Sequence, residues 1–430
     1  MTGRHLRYTA GWVVPMAAAP VRDGAVLLDP SGRILEVGPA ASVPEPAGTL
    51  GRSFPSAAIL PGLVNTHTHL ELTGLDGEVQ DDSFPEWILH LVAVKRQRTP
   101  EALRAAARQG VEDNWRMGVT TVADTGDSGA VIEALADLGA SGIAYHEVFG
   151  PDPRLADDCL RAWAARLDEL ARFAGGRVRL GASPHAPFTV SGPLYRRAAQ
   201  HARAAGLPLA MHIAESVAEG QLLAIGQGGF ATRWRERGLD PVAEGVSPVA
   251  WLERHGVLGP DALCIHCVHA TEDDLLRLAA HGAAIAHCPR SNRRHGHGDA
   301  PLQAIRARGL RVGVGTDSVA SVAPLDLLAE ARLARRLGGL SAWESLDLVT
   351  RGAAEAVGLE REVGSLAPGR WGDLAIFAVG AQLDELRLPD ALTALGPGEL
   401  LCTVLAGREV WLAPPPRHNP PGDHLLGPMP

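Results

Sequence analysis

The sequence has few cysteines, few aromatic residues and no long apolar run. Five cysteines in 430 residues are too few and too scattered for a disulfide framework, which favours a reducing cytoplasm. No apolar segment reaches the 18 residues or so that a membrane-spanning helix needs. The formal net charge is −9 and no basic cluster occurs, which argues against a nucleic-acid or membrane partner. A small molecule is the expected ligand, and homo-oligomerisation is left open.

Lysine is almost absent as well. It occurs once, at Lys95, so nearly all of the 40 basic residues are arginines. Any mechanism that requires a lysine at another position is therefore excluded.

The N-terminal segment has features of a secretion signal and of a strand. Arg4 and Arg7 precede a mostly apolar stretch at 10–20, and such a start is typical of a signal peptide. A tryptophan and two prolines interrupt the stretch. We therefore predict that the segment is a β-strand.

Eight short apolar segments alternate with Ala-, Leu- and Arg-rich segments of helical spacing. The predicted strands are 58–65, 119–124, 142–148, 178–183, 207–213, 262–267, 283–287 and 312–315. Eight strands alternating with helices predict an α/β fold, a closed parallel (β/α)₈ TIM barrel, over residues 58–366.

The two chain ends do not follow this alternation. Residues 1–57 and 367–414 have the pattern of short strands and turns. Because they flank the barrel, we expect both to contribute to one small β-sandwich domain. Residues 415–430 are rich in proline and are expected to be disordered.

Histidines and one aspartate lie at the ends of several predicted strands. His67 and His69 follow strand one, His212 ends strand five and Asp317 follows strand eight. Residues i and i+2 of a strand face the same side, and barrel sites lie where strands end. Three imidazoles and a carboxylate suit one divalent metal ion, zinc, or alternatively iron or manganese. A single histidine or Asp317 could instead serve a turn or cap, but their convergence favours the metal site.

Five motifs lie at or after these strand ends. They are PGLVNTHTH at 61–69, MHIAES at 211–216, HCVH at 266–269, HCPRSN at 287–292 and GTDS at 315–318. This set closely resembles the amidohydrolase superfamily, specifically its branch of cytosine deaminases, S-adenosylhomocysteine deaminases and triazine chlorohydrolases. The resemblance covers roughly residues 8–412.

The resemblance implies two sets of functional residues. The implied metal ligands are His67, His69, His212 and Asp317, and the implied catalytic groups are Glu215, His266 and Asp317. We expect hydrolytic deamination of an aminated purine-like ring. Asp317 would accept a proton from the attacking water, His266 would orient that water, and Glu215 would protonate a ring nitrogen. Glu215 could otherwise be a surface carboxylate.

The absence of a lysine after strand four predicts the number of metal ions. Binuclear relatives bridge two metals with a carbamylated lysine after strand four. This sequence has Ser183, Pro184 and His185 there, and Lys95 follows strand one. We therefore predict a mononuclear site.

Four further residues are candidate substrate contacts. Glu71 could accept hydrogen bonds from sugar hydroxyls at the rim of the pocket, or be an exposed loop acid. His185 could contact the ring. Arg290 and Asn292 could meet a distal carboxylate, although Arg290 could equally tether a loop to a helix.

The substrate expectation rests on two segments. Residues 67–71 and 83–87 look most like the aminodeoxyfutalosine deaminase type of menaquinone biosynthesis, so we expect 6-aminodeoxyfutalosine as substrate. Deamination of S-adenosylhomocysteine or methylthioadenosine, a chlorohydrolase or other hydrolase activity, and a non-catalytic scaffold are the alternatives.

A histidine pair follows strand seven. His295 and His297 are each followed by a glycine, so the segment could be a second metal site. We predict a loop lid instead, because the glycines would leave both imidazoles poorly fixed.

Overall fold

A computed structural model describes residues 3–81 and 83–414 of the chain. In these residues the strands are β1 Leu6–Val13, β2 Val21–Leu28, β3 Ile34–Pro39, β4 Leu50–Pro61, β5 Leu63–Thr68, β6 Val119–Gly126, β7 Gly142–Val148, β8 Val178–Pro184, β9 Leu209–Ile213, β10 Ala262–His266, β11 Ala284–His287, β12 Arg311–Val314, β13 Leu374–Ala378, β14 Leu400–Leu405 and β15 Arg408–Leu412.

The helices lie mainly between the strands of the barrel. They are α1 Phe84–Lys95, α2 Pro100–Trp115, α3 Ala130–Leu138, α4 Ala156–Leu170, α5 Gly192–Ala204, α6 Val217–Ile225, α7 Gly229–Glu236, α8 Pro248–Arg254, α9 Glu272–His281, α10 Pro289–Arg294, α11 Leu302–Ala307, α12 Leu327–Gly338, α13 Ala342–Asp347, α14 Arg351–Ala356 and α15 Leu388–Ala394.

Strands β5 to β12 form the predicted barrel. Each pairs in parallel with the next along the chain. A parallel bridge between Thr68 and Asp317 joins the two ends of this sheet. Apolar side chains such as Val64, Ile143 and Ile265 pack together in a buried cluster. The (β/α)₈ prediction is confirmed, and the strand ends carry the site.

The first barrel strand differs from the prediction. The expected strand at 58–65 is divided between β4, which ends at Pro61, and β5, which starts at Leu63. β4 pairs with β1 and β13 in the other sheet. The intervening Gly62 has no room for a side chain, because a Cβ would lie 2.2 Å from Thr120 Oγ1. Residues 58–61 therefore belong to the terminal β region, and our boundary at 57 and 58 was too early.

Both chain ends contribute to one small β domain, as predicted. Its seven strands are hydrogen-bonded in the order β15-β14-β13-β4-β1-β2-β3. Tyr8, Ile34 and Ile376 are buried in its core cluster. The predicted disordered tail, 415–430, lies outside the described residues.

The N-terminal segment forms strand β1, as expected. Among the described residues, no helix combines the length and apolar character that crossing a bilayer requires.

Candidate active site

Four predicted metal ligands converge at the carboxyl ends of the barrel strands. One ligating atom from each of His67, His69 and His212 lies within 4.8 Å of the others. His69 Nε2 and His212 Nε2 are 3.3 Å apart. Asp317 Oδ1 lies 3.6 Å from Nε2 of both His67 and His69. The i, i+2 spacing and the closure of β12 against β5 together produce this arrangement.

Backbone carbonyls fix the orientation of two of these imidazoles. His69 Nδ1 donates to the Thr125 carbonyl at 2.8 Å, and His212 Nδ1 is 3.3 Å from the His185 carbonyl. A carbonyl oxygen can only accept, so both Nδ1 atoms carry the proton. Each Nε2 is left free as a ligand, which is the usual arrangement around a metal-binding histidine.

His67 gives the clearest sign that the site binds a ligand. Its side chain is fully buried, and neither ring nitrogen has a hydrogen-bond partner. A buried polar group without a partner is costly. Burial also lowers the pKa of this imidazole below its ordinary value, which keeps it neutral, as a metal ligand must be. The four residues therefore fit a divalent metal ion.

Asp317 is held by serines and stays ionised. Oδ2 accepts from Ser291 Oγ at 2.5 Å, and Oδ1 accepts from the Ser318 N–H at 2.7 Å. Both carboxylate oxygens thus accept hydrogen bonds, which favour the ionised form of this buried carboxyl. The backbone φ of Asp317 is +59°, a strained conformation for a residue with a side chain.

A second group of three residues could also hold an ion. It comprises Glu147, His185 and His212. Because Nδ1 of His212 is occupied by a carbonyl, only its Nε2 remains, and the two groups compete for it. They are therefore alternatives for one ion rather than sites for two.

Glu215 lies beside the metal ligands, as predicted. It follows β9 and is 4% exposed. Its Oε1 is 3.5 Å from His266 Nε2 and 3.5 Å from His297 Nε2. Burial opposes ionisation, but the two imidazoles outweigh it and lower the pKa of Glu215 to about 2. Glu215 is thus a carboxylate before substrate binds, and it can donate a proton only after accepting one.

His266 is positioned by Asn292. His266 ends β10 with a φ of +74°, and its Nδ1 donates to Asn292 Oδ1 at 2.9 Å. This leaves Nε2 facing Glu215. Asn292 is fully buried and does not line the cleft. Our prediction that it contacts a substrate carboxylate is wrong, because its side chain points inward to His266.

A cleft of about 550 Å³ lies over these residues, a volume typical of small-molecule sites. His69, His185, His212, Glu215 and Asp317 lie on its lining. Aromatic side chains from α1, α7 and the loop after β8 form the apolar part of the wall, namely Phe84, Trp87, Phe188, Phe230 and Trp234. Phe188 and Phe230 stack with ring centroids 3.9 Å apart. The wall offers flat apolar surfaces for a planar ring.

Glu71 does not lie on the exposed rim. It is 1% exposed, and its carboxylate is bound by Lys95 Nζ, Ser128 Oγ and the N–H groups of Asp127 and Ser128. Lys95 also pairs with Asp127, and these carboxylates raise its pKa. The alternative that Glu71 is an exposed loop acid is therefore wrong, whereas its contact with substrate stays a prediction, because Glu71 lines the cleft. Lys95 is held as an ammonium.

Arg290 faces away from the cleft. Its backbone N–H donates to Glu330 Oε2 at 2.9 Å, and its guanidinium donates to the Pro324 carbonyl at 3.1 Å. It is absent from the cleft lining. These contacts tie α10 to the start of α12, so the tether interpretation holds and the carboxylate contact is wrong.

The histidine pair after β11 is built into the site. The His297 N–H donates to the Asn292 carbonyl at 2.8 Å, and His295 Nε2 lies 3.1 Å from Ser321 Oγ. His295 lines the cleft and packs against Trp87 with ring centroids 4.3 Å apart. Both imidazoles are therefore fixed, contrary to our expectation. Sequence reasoning also missed Lys95 as a cleft residue, although its uniqueness was a signal.

Comparison with known proteins places this geometry in a family. Residues 58–410 match the amidohydrolase family. The chain is 30% identical over 427 residues to a 5-methylthioadenosine/S-adenosylhomocysteine deaminase of Symbiobacterium thermophilum, covering 93% of this chain and 92% of that protein. It is 34% identical over 360 residues to an aminodeoxyfutalosine deaminase of Deinococcus radiodurans, covering 78% and 82%.

A solved structure agrees with the fold throughout. An adenosine deaminase from Xanthomonas campestris with bound zinc superposes with a TM-score of 0.81 and 25% identity, covering 94% of this chain and 92% of that one. The match spans the barrel and the flanking β domain. On its sequence, its fold and its histidine-rich site, the chain belongs to the amidohydrolase family and is an enzyme of that family.

Proposed function

We propose that the chain is a mononuclear, metal-dependent hydrolytic deaminase of an adenosine-type nucleoside, with 6-aminodeoxyfutalosine as the preferred substrate. The observation that carries the proposal is the position of Glu215. Its carboxylate lies between two imidazoles, in the same cleft as His69, His212 and Asp317, three of the four proposed metal-binding side chains. Deaminases of adenosine derivatives are among the relatives.

The metal-binding residues would be His67, His69, His212 and Asp317, and zinc is the expected ion. When bound, a divalent ion lowers the pKa of water and so supplies a nucleophile at neutral pH. Asp317 accepts a proton from the attacking water at its carboxylate. The serine contacts keep that carboxylate oriented.

Glu215 carries a proton to the substrate. Because its carboxylate is ionised before substrate binds, it first takes up a proton at one carboxylate oxygen and then passes it to the ring nitrogen beside the attacked carbon. His266 Nε2 faces the reacting groups, while Asn292 fixes the other ring nitrogen. The attack forms a C–O bond at the ring carbon beside the protonated nitrogen, and aromaticity is lost there. The proton held by Asp317 then passes to the exocyclic amino group, the C–N bond breaks and ammonia leaves. The new hydroxyl returns a proton to Glu215 and replaces the one taken up from solvent.

The cleft suits a nucleoside with an anionic end. Its aromatic wall can stack on a purine, and His185 lies beside His212 with ring centroids 4.7 Å apart. Arg96 and Arg237 line the cleft, and neither guanidinium has an ion-pair partner among residues 3–81 and 83–414. In place of Arg290, these two side chains are the cations that we assign to a distal carboxylate.

A substrate panel tests the proposal. Ammonia release is measured with 6-aminodeoxyfutalosine, S-adenosylhomocysteine, methylthioadenosine, adenosine, cytosine and a chlorotriazine, and chloride release is measured with the last. We expect the highest kcat/KM for 6-aminodeoxyfutalosine. A higher value for S-adenosylhomocysteine or methylthioadenosine would overturn only the preferred substrate. A higher value for cytosine or the triazine would overturn the nucleoside assignment, and no turnover of any compound would favour the scaffold alternative.

A further inference from the structure

His297 occupies a fixed position directly behind Glu215. It follows α10, and its N–H bonds the Asn292 carbonyl. The glycines on each side have φ of +69° and +100°, so the backbone turns sharply on both sides of this residue and directs its side chain inward. The imidazole contacts the Phe84 ring, edge to face, with centroids 4.5 Å apart.

The imidazole has an unpaired nitrogen facing Glu215. His297 is 8% exposed, and its buried Nε2 has no hydrogen-bond partner. The carboxylate oxygen Glu215 Oε1 lies 3.5 Å away. That oxygen is also 3.5 Å from His266 Nε2. A buried polar atom is costly unless it acquires a partner, and hydrogen bonds in active sites commonly shorten when substrate binds.

We propose that His297 is a positioning residue for Glu215. Its Nε2–H donates to Glu215 Oε1 when substrate closes the cleft. That hydrogen bond fixes the carboxylate plane from the side opposite the cleft and leaves the other oxygen for the ring nitrogen. His297 itself touches neither the metal ligands nor the substrate in this proposal. The inference rests on the proposed role of Glu215.

The first test compares three substitutions at this position. His297→Leu keeps much of the volume but removes the donor, His297→Gln keeps an N–H donor of similar reach, and His297→Asn keeps an amide that is too short. We expect His297→Leu and His297→Asn to lower kcat about 10- to 100-fold, the range for a lost hydrogen bond to a charged group, with KM within about threefold. His297→Gln should recover most of the turnover. His281→Gln, on the exposed end of α9, is the matched control.

The second test is a double-mutant cycle with Glu215→Gln, using the best nucleoside of the panel and checking metal content and Tm of each variant. If His297 acts through Glu215, Glu215→Gln/His297→Leu is no slower than Glu215→Gln alone. Losses that multiply would overturn the proposal, as would wild-type kcat in His297→Leu or equal losses in His297→Gln and His297→Leu. If the leucine variant fails to fold, wild-type kcat in His297→Asn overturns it equally. Wild-type turnover of Glu215→Gln would instead overturn the proposed function.

Discussion

The two sides of the cleft differ in the hydrogen bonding of particular buried titratable side chains. On the metal side, both ring nitrogens of His67 and Nε2 of His297 have no hydrogen-bond partner. On the side formed by the loop after β5 and α1, Glu71 receives hydrogen bonds from two side chains and two backbone N–H groups. Both regions are buried and both contain titratable residues.

We infer that the buried side chains without hydrogen-bond partners bind a ligand, whereas the hydrogen-bonded Glu71 stabilises the wall of the cleft. Unpaired buried atoms are stable only if something else binds them, so the metal side is where the chemistry is expected. The Glu71 and Lys95 pair is already satisfied within the protein, so its removal should affect stability more than turnover.

The largest effect is expected at Asp317. Asp317→Asn keeps an oxygen ligand but removes the base, so kcat should fall by about 10³- to 10⁴-fold even where metal is retained. Asp158→Asn, at an exposed position on α4, is the control. Ammonia release and metal content are measured together. Turnover within tenfold of wild type in a metal-loaded Asp317→Asn variant would contradict the role.

The next effect concerns Glu215. Glu215→Gln removes the proton carrier while keeping the size of the side chain, so kcat should fall at least about 10²-fold. Metal content and KM should change little, because the residue is not a ligand and the cleft shape is kept. Steady-state kinetics with 6-aminodeoxyfutalosine provide the measurement. A loss confined to KM would show that Glu215 binds the substrate without transferring a proton.

On the side of the cleft where Glu71 is hydrogen-bonded, Lys95→Met should mainly lower the stability of the protein. It leaves the buried Glu71 carboxylate without its counter-charge, so the free energy of unfolding should fall by about 3 kcal/mol. Adding Glu71→Gln should recover part of that loss, because the unpaired charge disappears. Urea denaturation measures both variants. A Lys95→Met variant of unchanged stability but without turnover would place this pair in the chemistry instead.

The smallest effect is expected at the mouth of the cleft. Arg96→Ala and Arg237→Ala should each raise KM for the carboxylated nucleoside about two- to fivefold, the range for exposed charge pairs, and leave KM for adenosine unchanged. Arg290→Ala is the matched control, since its guanidinium faces away from the cleft. If only Arg290→Ala raised KM, and only for the carboxylated nucleoside, Arg290 rather than Arg96 and Arg237 would be the residue that binds the carboxylate.

The contrast also shows what the sequence could predict. The convergence of the proposed metal ligands was predictable, because strand periodicity and strand order determine where His67, His69, His212 and Asp317 lie. The roles of Glu71 and Arg290 were not, since both follow strands but point to partners far along the chain. Lys95 reaches Glu71 from 24 residues away. The direction of a loop side chain depends on such tertiary contacts, and no local pattern encodes them.

The same limit applies to the glycines around His297. Glycine permits many conformations, which led us to predict loosely held imidazoles. In the fold, the turn after α10 is closed by backbone hydrogen bonds of residues 295–297. The glycines therefore allow a tight turn here.

We propose that deamination requires one metal ion, bound by the histidines and the aspartate at the carboxyl ends of the barrel strands. The protein is stripped with a chelator and zinc is added back in known equivalents, while ammonia release from 6-aminodeoxyfutalosine and bound zinc are measured on the same samples. We expect no activity without metal, and a linear rise in activity to a plateau at one zinc per chain. Full activity in the metal-free protein, or a plateau only at two zinc ions per chain, would contradict this proposal.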